Sequence, residues 1–418
     1  MTAQQGTKKE PSKAQEKRGA AFLQSLLVPA LAVLMGLFIG GIVIAVTDPE
    51  TSEAFGNFWR APGAAFAAAW SAVAVAYGAL FQGAFGSPSA MIEALRVYFS
   101  TGETALMLKA FYPFTESLVT ATPYIFAGLA VAIGFRAGLF NIGAEGQFYM
   151  GALGAAYVGY SITGLPWFIH LPLALLGGAA AGAVWGAIPG FLKARFGAHE
   201  VVNTIMMNWI AFRLSDWLLT GPMQASGFRP VTPNVEAAAE LPRLFPDPLR
   251  FNWGFFLALA VAALVYWFLF KTTRGFEIRA VGANPNAAKY AGMNIVTNIV
   301  LVMTISGALA GLSGTSQVLG VDHWVGQGFS AGYGFDSIAI ALLGKSHPAG
   351  VVLSALLFGF LRSGATRMQS IAGIPIDIIS IIQGLMIVFV AAPDIIRWLF
   401  RIRIAKSDEA VLTRGWSR

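Results

Sequence analysis

Apolar residues in this chain fall in blocks of about 20, the length that crosses the hydrocarbon core of a bilayer as a helix. A surface helix of a soluble domain would instead show an apolar stripe against a polar face. Composition agrees, because only 12% of the 418 residues are charged and a soluble domain carries about 25%. The implied fold class is an all-α, polytopic integral membrane protein. The net charge of +7 does not point to a nucleic-acid partner, because the basic residues cluster at span ends and tails, where the positive-inside bias accounts for them. No cysteine is present, which excludes disulfides, zinc-thiolate sites and thiol nucleophiles.

Residues 1–20, with Lys8, Lys9, Lys13, Lys17 and Arg18 against Glu10 and Glu16, read as a disordered cytoplasmic tail. Residues 21–113 hold a first span at 22–46 and a second, alanine-rich apolar stretch at 61–85. The first span is too long for a signal-peptide core and lacks a small-residue cleavage site, so it is expected to be retained. Taking the basic stretch 271–289 as cytoplasmic and counting spans backward puts residues 100–113 outside, where the first span also ends. With Glu93, Arg96, Glu103 and Lys109 opposing another crossing, 61–85 is expected to lie on the outer face or to re-enter from it. A core over 114–393 has spans at 114–135, 139–160, 166–190, 200–220, 251–270 and 294–320. A short apolar piece follows at 334–344, then spans at 348–364 and 373–392. A proline-rich outer loop fills 221–250, and Arg397, Arg401, Arg403 and Lys406 put the 394–418 tail inside. This makes about ten crossings with both termini cytoplasmic.

Inside this apolar background lies a polar knot. In GLFNIGAEGQFYMGALGA, from Gly138 to Ala155, Asn141, Glu145 and Gln147 are interleaved with Gly143 and Gly146. A carboxylate and two amides cannot face lipid, and glycine at this density weakens a helix, so the backbone here is expected to break or to line a cavity. Two readings of Glu145 stay open: a lining of a permeation route, or a polar tie between neighbouring helices. A second polar, glycine-rich break runs from Tyr333 to Ser337. The spans place the two breaks on opposite faces, which is what an inverted structural repeat with the substrate route at its interface would give. Asn141, Glu145, Gln147, Phe148, Tyr149, Asn203, Asn208, Asp336 and Ser337 are therefore candidate pathway residues. On this pattern Gln147, Asn141 and Arg136 are the expected partners of Glu145.

Between two spans, residues 275–295 carry Arg279 and Lys289 and a helix-compatible run over 286–290. Asn284-Pro285 suits a helix start and Gly292 its end. A short helix on the cytoplasmic face offers a grip to a soluble partner, although positive-inside bias alone explains the charge. Gly282, Asn284, Ala287, Ala288 and Gly292 resemble the coupling loop of permeases in the branched-chain amino acid and ribose class of ABC importers. FNIGAEGQ, VNTIMMNWIA at 202–211, ALLGKSHPAGVV at 341–352 and GIPIDIISIIQGLMIVF at 373–389 are similar, more narrowly, to the nucleoside importers of that class.

The resemblance covers about 114–393. It implies a transport subunit of an ATP-driven importer in the bacterial plasma (inner) membrane, itself not an enzyme and holding no cofactor. ATP would sit on a separate ATPase gripping Arg279, Gly282, Asn284, Ala287, Ala288 and Gly292. It further implies a second related permease, with a homodimer as the alternative, and an extracytoplasmic solute-binding protein. Nucleosides are the implied substrate, with a simple sugar of the ribose type or an ion-coupled secondary transporter as alternatives. Residues 1–113 depart from the family pattern.

Gly344-Lys345-Ser346 imitates the end of a phosphate-binding loop, but Ala339 stands where the first glycine is required and His347-Pro348 where the helix should begin. His170, His199, His323 and His347 lack metal-ligand spacing, and no nucleophile elbow occurs, so neither a metal site nor a catalytic residue is expected. A Glu145–Asp336 pair is the one arrangement that would suit a membrane enzyme. Asp322, His323 and Trp324 follow a span and are candidates for an outer mouth touching a delivered solute or its carrier, with Trp324 equally suited to anchoring in lipid headgroups.

Overall fold

The computed structural model describes residues 13–400 apart from 228, 393–394 and 397–398. Most of the expected tails, including Lys8, Lys9, Arg397, Arg401, Arg403 and Lys406, therefore lies outside the described residues. Fifteen α-helices are described: α1 (Lys13–Thr47), α2 (Pro49–Gly56), α3 (Pro62–Phe85), α4 (Pro88–Thr101), α5 (Ala105–Arg136), α6 (Ala144–Ser161), α7 (Trp167–Phe196), α8 (Glu200–Leu219), α9 (Gly254–Lys271), α10 (Thr273–Ala283), α11 (Pro285–Tyr290), α12 (Ile295–Gln317), α13 (Tyr333–Leu343), α14 (Pro348–Ala372) and α15 (Asp377–Ala391). Seven helical stretches among the described residues are long and apolar enough to cross a membrane, and one of them, Pro62–Thr101, holds the 61–85 stretch that was expected to stay on or re-enter from the outer face. α6, α8 and α15, with 18, 20 and 15 residues, stand where three further crossings were expected.

Several bounds differ from the sequence reading for local reasons. α1 begins inside the expected tail, because Lys13 to Arg18 is built of good helix formers that extend the apolar helix in spite of Gly19. α5 starts nine residues before 114, and α14 runs eight beyond 364 through Arg367. The span expected from 139 is helical only from Ala144, so the polar knot is split, with Asn141 and Gly143 before the helix and Glu145, Gly146 and Gln147 in its first turn.

At the centre α5 and α12 pack together; α12 also lies along α6 and α7, while α5 lies along α13 and α14. α5 finishes beside α10, where Gly138 meets Gly282, and α12 starts from that same end. Each set thus runs central helix, broken helix, long helix, in opposite directions, with each central helix packed on the other set's pair. This is the pattern that an inverted repeat produces.

The α7–α12 contact is made backbone to backbone. Gly178, Gly182 and Gly186 recur every four residues and face Gly307 and Gly311; a Cβ on Gly182 would stand 2.3 Å from the Gly307 carbonyl oxygen. Small residues at this spacing let helix axes approach closely, which is how helices associate where lipid removes the hydrophobic drive.

A second apolar cluster joins α1, α3, α14 and α15 through Ile44, Ala76, Leu80, Leu361, Met368, Ile382 and Met386. α3 finishes partway along α14. Phe85 stacks on Phe360 at 4.5 Å and Ser117 donates to the Ala84 carbonyl at 2.7 Å, after which the chain turns at Gly86, whose φ is +84°. The proline-rich 221–250 segment is a folded cap. Leu241 N donates to Leu319 O at 2.8 Å, Val235 N to His323 O at 2.9 Å and Glu236 N to Gly159 O at 2.9 Å, and Val235, Ala239 and Leu241 are buried beneath it.

Candidate functional site

The side chains of the polar knot, Asn141, Glu145 and Gln147, are buried and hydrogen-bonded. From Gly138 the chain climbs without helix to Asn141, whose Nδ2 donates to Gln147 Oε1 and to Ser306 Oγ, both at 2.9 Å. Ser306 Oγ donates onward to Ala130 O at 2.6 Å, so α5, α6 and α12 meet at one residue. Asn141 Oδ1 accepts from Gly143 N at 2.9 Å. Asn208, from α8, accepts from Gly146 N at 2.8 Å and donates to Ile142 O at 2.9 Å. Asn203 does not join, sitting half-buried with its Nδ2 unpartnered.

Glu145 turns away from its expected partners. Its carboxylate accepts from Gly334 N, in the first turn of α13, at 2.7 Å. The backbones touch there as well, since a Cβ on Gly334 would lie 2.3 Å from Glu145 N. Asn141 and Gln147 bond to each other, and Arg136 donates to Ser346 O at 2.9 Å and Lys345 O at 3.2 Å. The two breaks, almost 190 residues apart in sequence, thus bring the N-termini of α6 and α13 together, with a carboxylate between two positive helix ends. Phe148 stacks on Tyr333 at 5.7 Å, and the Tyr149 hydroxyl accepts from Ser330 N at 3.2 Å. Ser337 Oγ donates to Gly334 O within its own helix. Asp336 does not contact Glu145. It accepts from the Tyr124 hydroxyl at 2.7 Å and pairs with Arg362 at 3.3 Å. Tyr124, Ser306 and Arg362 escape a reading of motifs; the available signal was an arginine within the apolar run expected over 348–364.

The 275–295 segment folds as its caps dictate. Asn284 Oδ1 accepts from Asn286 N at 3.0 Å and Ala287 N at 3.1 Å, starting α11, and Gly292 closes the turn with φ +83°. Ala288 is buried, while Tyr290 is 96% exposed. Gly282 abuts the end of α5, where its Cβ would meet Arg136 O at 2.3 Å. Arg136 and Arg279 both lie over the Phe270 ring, at 5.6 and 5.1 Å. His347 packs on that ring at 5.5 Å, and burial, then the Arg136 charge, holds its imidazole below the ordinary value.

At the opposite end Asp322 accepts from Gln317 Nε2 at 2.9 Å, and His323, held at φ +63°, stands 3.5 Å from Glu240. His323 also lines a cavity of about 540 Å³ with Trp167, Ala237, Glu240, Leu241, Pro242 and Arg243. Trp324 is exposed beside it.

Residues 114–391 match the family described as branched-chain amino acid transport system / permease component. The chain belongs to this permease family. It is 38% identical over 382 residues to the guanosine ABC transporter permease protein NupP of Bacillus subtilis, covering 90% of this chain and 96% of that one. The glucose ABC transporter permease protein TsgB13 of Haloferax volcanii is 37% identical over 301 residues, 70% and 79% of the two chains. The nucleoside ABC transporter permease protein NupB of Lactococcus lactis is 33% identical over 310 residues, 72% and 85% of the two. The same Bacillus and Lactococcus strains each supply a second, less similar ABC transporter permease. No solved structure matches. The permease is thus a multi-pass transport component, and its family match starts where the sequence resemblance does.

Proposed function

We propose that the permease imports nucleosides as the membrane subunit of an ATP-driven importer in the bacterial plasma membrane. The observation that carries this is full-length similarity, 38% over nearly all of both chains, to a guanosine permease. A separate ATPase docks on Arg279, Gly282, Asn284, Ala287, Ala288 and Gly292, with Tyr290 as a further contact. Gly282, pressed against the end of α5, passes the movement into the bundle. The substrate route runs past the facing ends of α6 and α13, where Asn141, Glu145, Gln147, Phe148, Tyr149, Asn208, Asp336 and Ser337 gather. In the described conformation the polar groups among them are held by protein partners, Asn141 by Gln147, Glu145 by Gly334, Asn208 by Gly146 and Ile142, and Asp336 by Tyr124 and Arg362. A second related permease completes the pathway, a reading supported by the paired permeases of the Bacillus and Lactococcus strains. Asp322, His323 and Trp324 face a solute-binding protein outside, both termini are cytoplasmic, and α3–α4 re-enters from the outer face without crossing.

Uptake of labelled guanosine, uridine, ribose and glucose, with and without this subunit, tests the reading. Nucleoside uptake should depend on the chain. The glucose relative, at 37% identity, favours one other outcome; dependence of sugar uptake alone would replace nucleoside with sugar.

A further inference from the structure

Midway through the bundle lies an ion pair that protein does not enclose. Arg362 sits about 21 Å along α14 at 1.5 Å rise per residue. Its Nη1 donates to the Tyr124 hydroxyl at 2.8 Å and to Asp336 Oδ2 at 3.3 Å, and Nη2 donates to Ala331 O at 2.7 Å. The guanidinium also lies 5.4 Å from the Tyr333 ring centroid. Of five guanidinium N–H donors, three are used among the described residues, and Asp336 Oδ1 accepts none there. The two side chains stay 32% and 29% exposed, and Phe335, beside Asp336, is 46% exposed.

Charged groups at such a depth do not open onto hydrocarbon; they face water or another protein. A purely structural pair would be expected to have its remaining donors and acceptor satisfied by neighbours. What is left over here is two guanidinium N–H groups, one carboxylate oxygen and a half-exposed aromatic ring. That set complements a planar, polar-edged ring carrying hydroxyls. Resting on the nucleoside reading above, we propose that Phe335, Asp336 and Arg362 form one wall of the nucleoside's path. Phe335 stacks on the base, Asp336 accepts from the sugar hydroxyls and Arg362 donates to the base edge. Tyr124, bonded to both charged groups, positions them.

Because the chain has no cysteine, Phe335→Cys introduces its single thiol. In membrane vesicles holding the assembled transporter, a membrane-impermeant cationic methanethiosulfonate should modify that thiol, and saturating guanosine or uridine should slow the reaction several-fold. Phe335→Leu should raise the KM for nucleoside uptake about tenfold, the scale of losing one base–aromatic stack, and Phe335→Tyr should recover most of that loss. A thiol that does not react, or reacts equally fast with nucleoside present, overturns the proposal, as does an unchanged KM in Phe335→Leu. Wild-type transporter that moves no nucleoside overturns the functional reading as well. Normal wild-type nucleoside uptake beside an unprotected thiol overturns this inference alone.

Discussion

Glu145 shows how one side chain can hold two helices at their ends. Its carboxylate lies in the first turn of α6 and accepts from the first turn of α13, so both partial positive helix ends favour its charge. Glu145→Gln keeps shape and one acceptor but loses the charge-assisted part of the bond, a difference of about 1.4 kcal/mol, or about tenfold. Uptake should fall by about that factor with membrane insertion and subunit assembly normal; wild-type uptake would show the charge to be dispensable, and loss before assembly would favour a structural tie. Gly334→Ala tests the same contact from the other side. Its methyl would stand 2.3 Å from Glu145 N and must part the two helix ends, costing about 1–3 kcal/mol. A lowered thermal midpoint of the purified protein in detergent is expected, and an unchanged midpoint would mean that the ends yield freely. The sequence marked Glu145 as exceptional because a carboxylate in an apolar run is conspicuous by itself. It gave the wrong partners, because nearness along the chain says little about a contact made between helices 189 residues apart.

At the scale of elements, α11 was legible because its determinants are local. Asn284 caps it, Pro285 opens it and Gly292 ends it, all within nine residues. Asn284→Ala should remove about 1 kcal/mol of cap and fray the helix. Uptake should drop while the partner ATPase still hydrolyses ATP, so that the ratio of nucleoside moved to phosphate released falls in proteoliposomes; an unaltered ratio would place the coupling elsewhere. Tyr290→Asp, at the most exposed point of the same helix, should weaken copurification of the ATPase without changing α11. The long spans were likewise legible from apolar length, since a bilayer demands it. Their ends were less so. α14 was expected to stop near 364, but it runs on past exposed Arg367 to Ala372 and closes only at Gly373, whose φ is +66°.

For the whole molecule, pairing with a different permease predicts that affinity purification of this chain brings down a second, related membrane subunit alongside the ATPase, identified by mass spectrometry. Recovery of this chain alone with the ATPase would mean a homodimer. The inverted arrangement was foreshadowed only by two polar breaks on opposite faces, because it lives in which helices touch, not in similar sequence. Gly182→Val, pressing a side chain to within 2.3 Å of the Gly307 carbonyl, should cost several times more folded protein than the same change at exposed Gly63, where nothing lies within 4 Å. Equal yields would mean that the α7–α12 seam is loose. The seam also bears on the thermodynamics of turnover. Surfaces that slide in each cycle repack side chains, each exchanging up to about 1.5–2 kcal/mol of rotamer entropy. Where the glycine backbones of Gly178, Gly182 and Gly186 meet those of Gly307 and Gly311 there are no side-chain rotamers to freeze or release, so that part of the α7–α12 contact carries no such entropy term.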